Sequence, residues 1–110
     1  MSAHIQVLTT IDSSEAAGRL AQQLVEANLA ACVQVLGPLT STYRWEGKVE
    51  TAQEWLCIAK TREDRYGEVE AAIRAAHPYQ VPEILAVPVT AGHEAYLRWL
   101  DAQVRRGDGP

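Results

Sequence analysis

A four-stranded α+β sandwich of the split βαβ, ferredoxin-like type is the fold class this 110-residue chain predicts, with long β-hairpin arms and an extra C-terminal helix. Three observations point to it. The apolar periodicity changes along the chain in the order β-α-β-β-α-β and then α, the order of a ferredoxin-like βαββαβ sandwich followed by one more helix. Two polar clusters of capping type, Asp12-Ser13-Ser14-Glu15 and Thr61-Arg62-Glu63-Asp64, stand where strands should give way to helices. Two long extended segments flank Glu46-Gly47, a dipeptide suited to a two-residue hairpin turn.

The elements follow in order. Ile5 to Thr10 is a short β-rich run. Behind Asp12, read as the helix N-cap, the residues Ala17, Leu20, Ala21, Leu24 and Val25 recur at the spacing of one helical face, and this helix should end near Asn28. Ala30 to Trp45 and Lys48 to about Lys60 form the two arms of the hairpin. Gly37-Pro38 interrupts the first arm, and because proline cannot donate to a ladder, a bulge or kink belongs there. Arms so long must project beyond a small body, leaving Tyr43, Trp45 and Trp55 exposed in a lone chain and favouring their burial against another subunit. Tyr43 and Trp45, beside the hairpin tip, are the expected interface contacts. Tyr66, Val69, Ile73 and Ala76 mark a second helix that should stop at His77-Pro78. Ile84 to Val89 is the fourth strand, and His93 to Val104 the final helix, with Leu97, Leu100 and Val104 on one face.

Size and composition restrict the function. Residues 1–104 make one domain, and the polar segment 105–110, with two Gly and a Pro, is expected to be a disordered tail. A formal net charge of −4 with scattered Lys and Arg argues against a nucleic-acid partner. The RNA-binding relatives of this topology need an aromatic run on the third strand, and Glu54-Trp55-Leu56-Cys57-Ile58-Ala59-Lys60 is not one. No apolar run is long enough to cross a bilayer, and Met1-Ser2-Ala3-His4 does not begin a secretory signal, so a cytoplasmic protein without a membrane partner is expected.

The chemistry concentrates in His77-Pro78-Tyr79-Gln80-Val81-Pro82-Glu83, where two prolines stiffen a connector carrying an imidazole, a phenol and a carboxylate. It is either a Pro-terminated helix leading into a strand or a preorganised binding site. Metal ligation by His77 with Glu83 is the first possibility, with an affinity that falls as the imidazole protonates. Cys32 and Cys57 lie in apolar runs with no CxxC pair, so each reads as a buried thiol. Cys32 is a secondary candidate ligand for Cu(I). Lys60, Glu54 and Tyr79 are candidates for a binding cleft where subunits meet; alternatively Lys60 and Glu54 form an ion pair between strands or subunits. No nucleophile elbow, P-loop or dinucleotide-binding glycine pattern is present, so no enzymatic activity and no organic cofactor are expected.

Several ordered motifs make the chain resemble the CutA, or divalent-cation-tolerance, family from about Ile5 to Leu100. They are Ala30-Ala31-Cys32-Val33, Ser41-x-Tyr43-x-Trp45-x-Gly47-Lys48, Glu54, Lys60-Thr61, His77-Pro78-Tyr79-x-x-Pro82-Glu83 and Gly92-x-x-x-Tyr96-Leu97-x-Trp99. The resemblance implies a ferredoxin-like protomer in a homotrimer similar to that of the PII signalling proteins, with hairpin arms reaching neighbouring subunits. It implies tolerance of divalent metal ions and binding of Cu2+ or another divalent cation. Where some members of the family carry Cys and a second His, this chain has Thr9 and Ala76. The alternative is a PII-like trimeric signalling or scaffold module that binds a small anionic metabolite or a protein partner in its inter-subunit clefts.

Overall fold

The computed structural model describes residues 3–105. The expected tail therefore lies, from residue 106 on, outside the described residues. Four strands, β1 (His4–Ile11), β2 (Cys32–Trp45), β3 (Lys48–Arg62) and β4 (Leu85–Pro88), form one antiparallel sheet in the order β2-β3-β1-β4. Helices α1 (Ser14–Glu26) and α2 (Tyr66–Ala76) cover one face, a single 3-10 turn (Glu63–Arg65) precedes α2, and α3 (Glu94–Gln103) follows β4. This is the predicted architecture.

Strict alternation along β1 builds the core. Ile5, Val7, Thr9 and Ile11 are buried, as are their neighbours Cys57, Ala59 and Thr61 on β3. Ala17, Leu20 and Leu24 of α1 and Val69 and Ile73 of α2 close over them. Trp55 packs against this cluster, so of the three aromatic residues expected on exposed arms only Tyr43 and Trp45 stand in the open. Val25 also leaves the expected helical stripe and is exposed.

The two capping signals fare differently. Ser13, not Asp12, caps α1, its Oγ accepting from the Ala16 amide at 3.0 Å. Past the helix end, Asn28 takes φ 59°, a left-handed conformation that Asn tolerates better than most residues. Thr61 caps nothing. Its β-branched side chain continues β3, and its hydroxyl donates to the Leu29 carbonyl at 2.7 Å. α2 has no side-chain cap, and Arg65 at its start is buried, reaching Glu68 at 2.7 Å and the Asn28 carbonyl at 3.3 Å.

The middle of the opposite face of the sheet is apolar and only partly covered, with Gln6, Gln34 and Lys60 toward one end. The register lines up Leu85, Leu8 and Ile58 in one row and Thr10, Leu56 and Leu36 in the next. Leu36 and Leu85 are more than half exposed there, at 51% and 55%. At one end of this face the Asp101 carboxylate of α3 accepts from His4 and Arg62, both at 2.8 Å. Leu100 of the same helix and Val104 just past its end bury themselves with Ala31.

The hairpin arms pair from Cys32↔Lys60 out to Trp45↔Lys48 and stretch the molecule to 50 × 26 × 21 Å. Glu46 and Gly47 turn with φ 50° and 82°, both left-handed, as a tight two-residue turn of this hand requires. At Gly37-Pro38 the register slips: Leu36 faces Leu56, but Leu39 faces Glu54. Three steps on β2 match two on β3, which makes one extra residue and reverses which side chains face which way. Before the bulge Cys32, Gln34 and Leu36 point to the open face; after it Leu39, Ser41, Tyr43 and Trp45 do. A Cβ at Gly37 would collide with the Trp55 indole. Gly37→Ala should therefore cost about 1–2 kcal/mol through overpacking, seen as a lower urea midpoint at unchanged slope.

Candidate functional site

Helix α2 stops at Ala76 because Pro78 disfavours helical geometry at His77, which is extended at φ −83°, ψ 136°. The connector then crosses the end of the sheet. His77 is buried, at 9% exposure, and both ring nitrogens are engaged. Nε2 lies 2.8 Å from the Thr10 carbonyl, which can only accept, so Nε2 carries the proton and donates. Nδ1, left with its lone pair, accepts from the Tyr79 amide at 3.2 Å. The imidazole ties the connector to β1, and it would have to surrender one of these bonds to ligate a metal.

Tyr79 is placed by this clamp and stacks obliquely on His77, with ring centroids 4.6 Å apart. Its phenol donates to Glu54 Oε2 at 2.6 Å, a short bond of the charge-assisted kind. Glu54 is only 6% exposed. Burial pushes the Tyr79 phenol well above its ordinary range, and the Glu54 carboxylate adds to the shift through the hydrogen bond and its charge. Asp12 and Tyr43 contribute smaller charge effects, which places them near the same phenol.

Between the connector and the hairpin lies a cleft of about 640 Å³. Carboxylates of Glu50, Glu54 and Glu83 and the rings of Tyr43, Trp45 and Tyr79 line it. Its remaining lining residues are Thr10, Ser41, Thr42, Gln80 and Val81, so no Lys, Arg or His borders it among the described residues. The cleft owes its wall to the bulge: Tyr43 is opposite Glu50, and Leu39 opposite Glu54, on the face that the extra residue selects.

The structure gathers part of the predicted set. Glu54, Tyr79 and Glu83 share the cleft with Tyr43 and Trp45, while His77 stands behind it as the clamp. Lys60 does not join them, because it lies on the same face of the same strand six residues from Glu54, about 20 Å away. An ion pair of Lys60 with Glu54 within one chain is excluded for the same reason. Lys60 is instead opposite Cys32 and Gln6 at the far end of the sheet. Cys32 is half-buried rather than buried and is separated from the connector by the length of the ladder, so His77, Glu83 and Cys32 form no common centre within a chain. Cys57 is the buried thiol; burial raises its pKa, and its sulfur lies 4.0 Å from the Ala17 carbonyl. Among the described residues no three His, Cys, Asp or Glu side chains come close enough together to hold a metal ion. Glu50 was not foreseen. Its only signal was alternation along an arm whose register could not be counted through the bulge.

Comparison with known proteins places the chain in a family. The model of the CutA1 divalent ion tolerance protein family matches residues 5–103. The chain belongs to the CutA1 family. The Divalent-cation tolerance protein CutA of Thermus thermophilus is 46% identical over 94 residues, covering 86% of this chain and 91% of that protein. The chloroplastic Protein CutA of Arabidopsis thaliana is 41% identical over 101 residues, 92% of this chain, which spans 56% of the plant protein's length. The solved structure of the periplasmic divalent cation tolerance protein CutA from Archaeoglobus fulgidus matches with a TM-score of 0.90 and 40% identity, over 93% of this chain and 99% of that one. These relatives correct the expectation of a cytoplasmic protein: CutA proteins of this similarity are described as periplasmic or chloroplastic, so membership in the family does not support that compartment.

Proposed function

We propose that this CutA1-family chain acts as a homotrimeric, non-enzymatic binder of divalent cations, Cu2+ among them, and that it captures them in the cleft between hairpin and connector. The observation that carries this reading is the sign of the lining: three carboxylates and no cationic side chain among the described residues. Such a wall attracts a cation and repels an anion, which disfavours the alternative of a small anionic metabolite. Because one chain offers no converging set of three ligands, the ion is held loosely, with its water largely kept, or with donors added by a neighbouring subunit. Oxygen donors accept several divalent ions, and Cu2+ stands highest among the first-row metals at a given site.

Assembly is supported by the uncovered apolar rows of the sheet, Leu85-Leu8-Ile58 and Leu56-Leu36, and by an arm extending beyond the body. A surface of that kind is stabilised by burial against another subunit. Tyr43 and Trp45, the expected interface contacts, are exposed on that arm in the single chain, which supports the same reading.

Calorimetric titration with Cu2+ and Mn2+, with mass recorded by light scattering, tests the reading. A trimer mass is expected, with Cu2+ bound more tightly than Mn2+. The double variant Glu50→Gln/Glu83→Gln should lose about fivefold or more in affinity, the effect of removing charges a few ångströms from the ion. Cu2+ binding indifferent to the double variant would remove the cleft from the reading, and a melting temperature raised by anionic metabolites but by no cation would favour the alternative.

A further inference from the structure

We propose that Lys60 of a neighbouring subunit enters the acidic cleft, meets Glu50 and Glu83 there, and so fixes a head-to-tail register for the assembly. This contact rests on the homotrimer reading above and adds to it the residues that meet and a competitor for the captured ion. It starts from charges that one chain leaves unbalanced. Among the described residues no ion pair within the chain involves Lys60, Glu50 or Glu83. Lys60 is half-buried between Gln6 of β1 and Cys32 of β2, on the face that assembly covers. A charge covered by another subunit without a counter-charge is costly. Glu50 and Glu83, exposed in the single chain, have the same need. Glu54 does not, because the Tyr79 phenol already serves it.

Along β3 the open face reads Glu50, Ala52, Glu54, Leu56, Ile58 and Lys60, since side chains two apart share a face. It is acidic toward the arm, apolar in the middle and basic toward the far end. That order decides how a second copy of the chain can cover it. Copies set side by side in the same register would bring carboxylates against carboxylates and ammonium against ammonium, a juxtaposition that is disfavoured. A copy whose far end lies at the arm of the next brings Lys60 to the carboxylates instead. It also leaves the rows Leu85-Leu8-Ile58 and Leu56-Leu36 free to meet at the centre.

Reach is supplied by the hairpin. The molecule is 50 Å long against 26 and 21 Å across, and its arm carries Glu50 out beyond the body. Within one chain Lys60 stands about 20 Å from Glu54, so only another copy can bring it to this cleft. Two different patches then meet at each contact, and a heterologous contact of this kind closes into a ring. Each subunit gives one Lys60 and receives one. The ammonium and a divalent ion compete for the same carboxylates, so removing Lys60 should loosen assembly and tighten Cu2+ binding.

Light scattering and calorimetry on the full chain test the proposal. Lys60→Glu should raise the protein concentration at half-assembly about tenfold or more, measured in urea where the wild type begins to dissociate, because like charges then face each other at every contact. Adding Glu50→Lys to that variant should recover at least part of the assembly, which a merely misfolded chain could not do. Lys60→Met should bind Cu2+ about fivefold more tightly, the effect of removing a like charge a few ångströms from the ion. Its difference from wild type in assembly should shrink as NaCl screens the pair. A Lys60→Glu variant that assembles like wild type, a double variant with no recovery, or a wild-type mass other than a trimer would overturn the proposal. Failure of the cation-binding reading looks different: Cu2+ would be indifferent to Glu50→Gln/Glu83→Gln while the charge swap still governed assembly.

Discussion

Replacing His77 with Ala is expected to destabilise the protein by about 2–4 kcal/mol while leaving Cu2+ affinity close to its original value. The imidazole joins the connector to β1, donating to the Thr10 carbonyl and accepting from the Tyr79 amide. Ala breaks both bonds and leaves the Thr10 carbonyl and Tyr79 amide without the imidazole, opens a cavity at a buried position, and frees the loop that aims Tyr79 at Glu54. Paired urea melts and copper titrations of His77→Ala check this. A variant that keeps its stability and loses copper would show instead that the imidazole is a ligand.

Tyr79→Phe should cost about 2–3 kcal/mol, although only one oxygen is removed. The Glu54 carboxylate is 6% exposed and accepts the phenol's proton at 2.6 Å. Without the hydroxyl it remains in a poorly hydrated place with one bond fewer, and hydrogen bonds to charged groups are the expensive ones to lose. The effect should be non-additive with Glu54→Gln, since a neutral side chain no longer needs the phenol so strongly, and a double-mutant cycle measures that coupling.

The same bond has a signature in alkali. Burial, followed by the Glu54 hydrogen bond and charge, raises the folded Tyr79 phenol above its ordinary value, whereas an unfolded tyrosine ionises near pH 10. Below about pH 10 both states are protonated and the contribution to stability is fully present. Above it the unfolded chain releases a proton that the folded chain retains, so stability falls as pH rises. Tyr79→Phe should flatten that alkaline limb of a stability-against-pH curve. An unchanged limb would mean that Tyr79 is not the group responsible.

The acid side belongs to a different part of the molecule. Burial raises the Asp101 carboxyl, but hydrogen bonds from Arg62 and His4, with their charges, outweigh it and lower its pKa overall. That contribution is present above the unfolded carboxyl value and fades as pH falls through the folded one. Asp101 is 38% exposed in its side chain, so solvent keeps the effect modest.

The fold was legible in the chain because its signals are local and periodic. Alternation in His4–Ile11, the helical stripe Ala17, Leu20, Leu24 and the stop at His77-Pro78 each follow from one segment's own chemistry. Errors arose where two local signals competed. Asp12 and Ser13 are both good caps, and backbone geometry chose Ser13; Thr61 suits a cap or a strand, and pairing with Ile5 chose the strand. The site was legible by residue type and not by arrangement. Glu54, Tyr79 and Glu83, distinct by type in the sequence, line one cleft, whereas Lys60, grouped with Glu54 by type, is held about 20 Å from it along a strand.

By itself, then, the sequence determined the order and kind of elements, the family, the place of the turn at Glu46-Gly47 and the stiffness of the connector. Only the tertiary structure decided which side chains face one another. A strand's side chains alternate with period two, so a single extra residue at Gly37-Pro38 reverses every orientation beyond it. That reversal puts Tyr43 and Trp45 over Glu50 and Glu54. Likewise, only packing at the sheet end turned His77 inward, toward the Thr10 carbonyl. A buried imidazole must satisfy both nitrogens, and the partners it found lie 67 residues away in β1 and two residues on in its own connector.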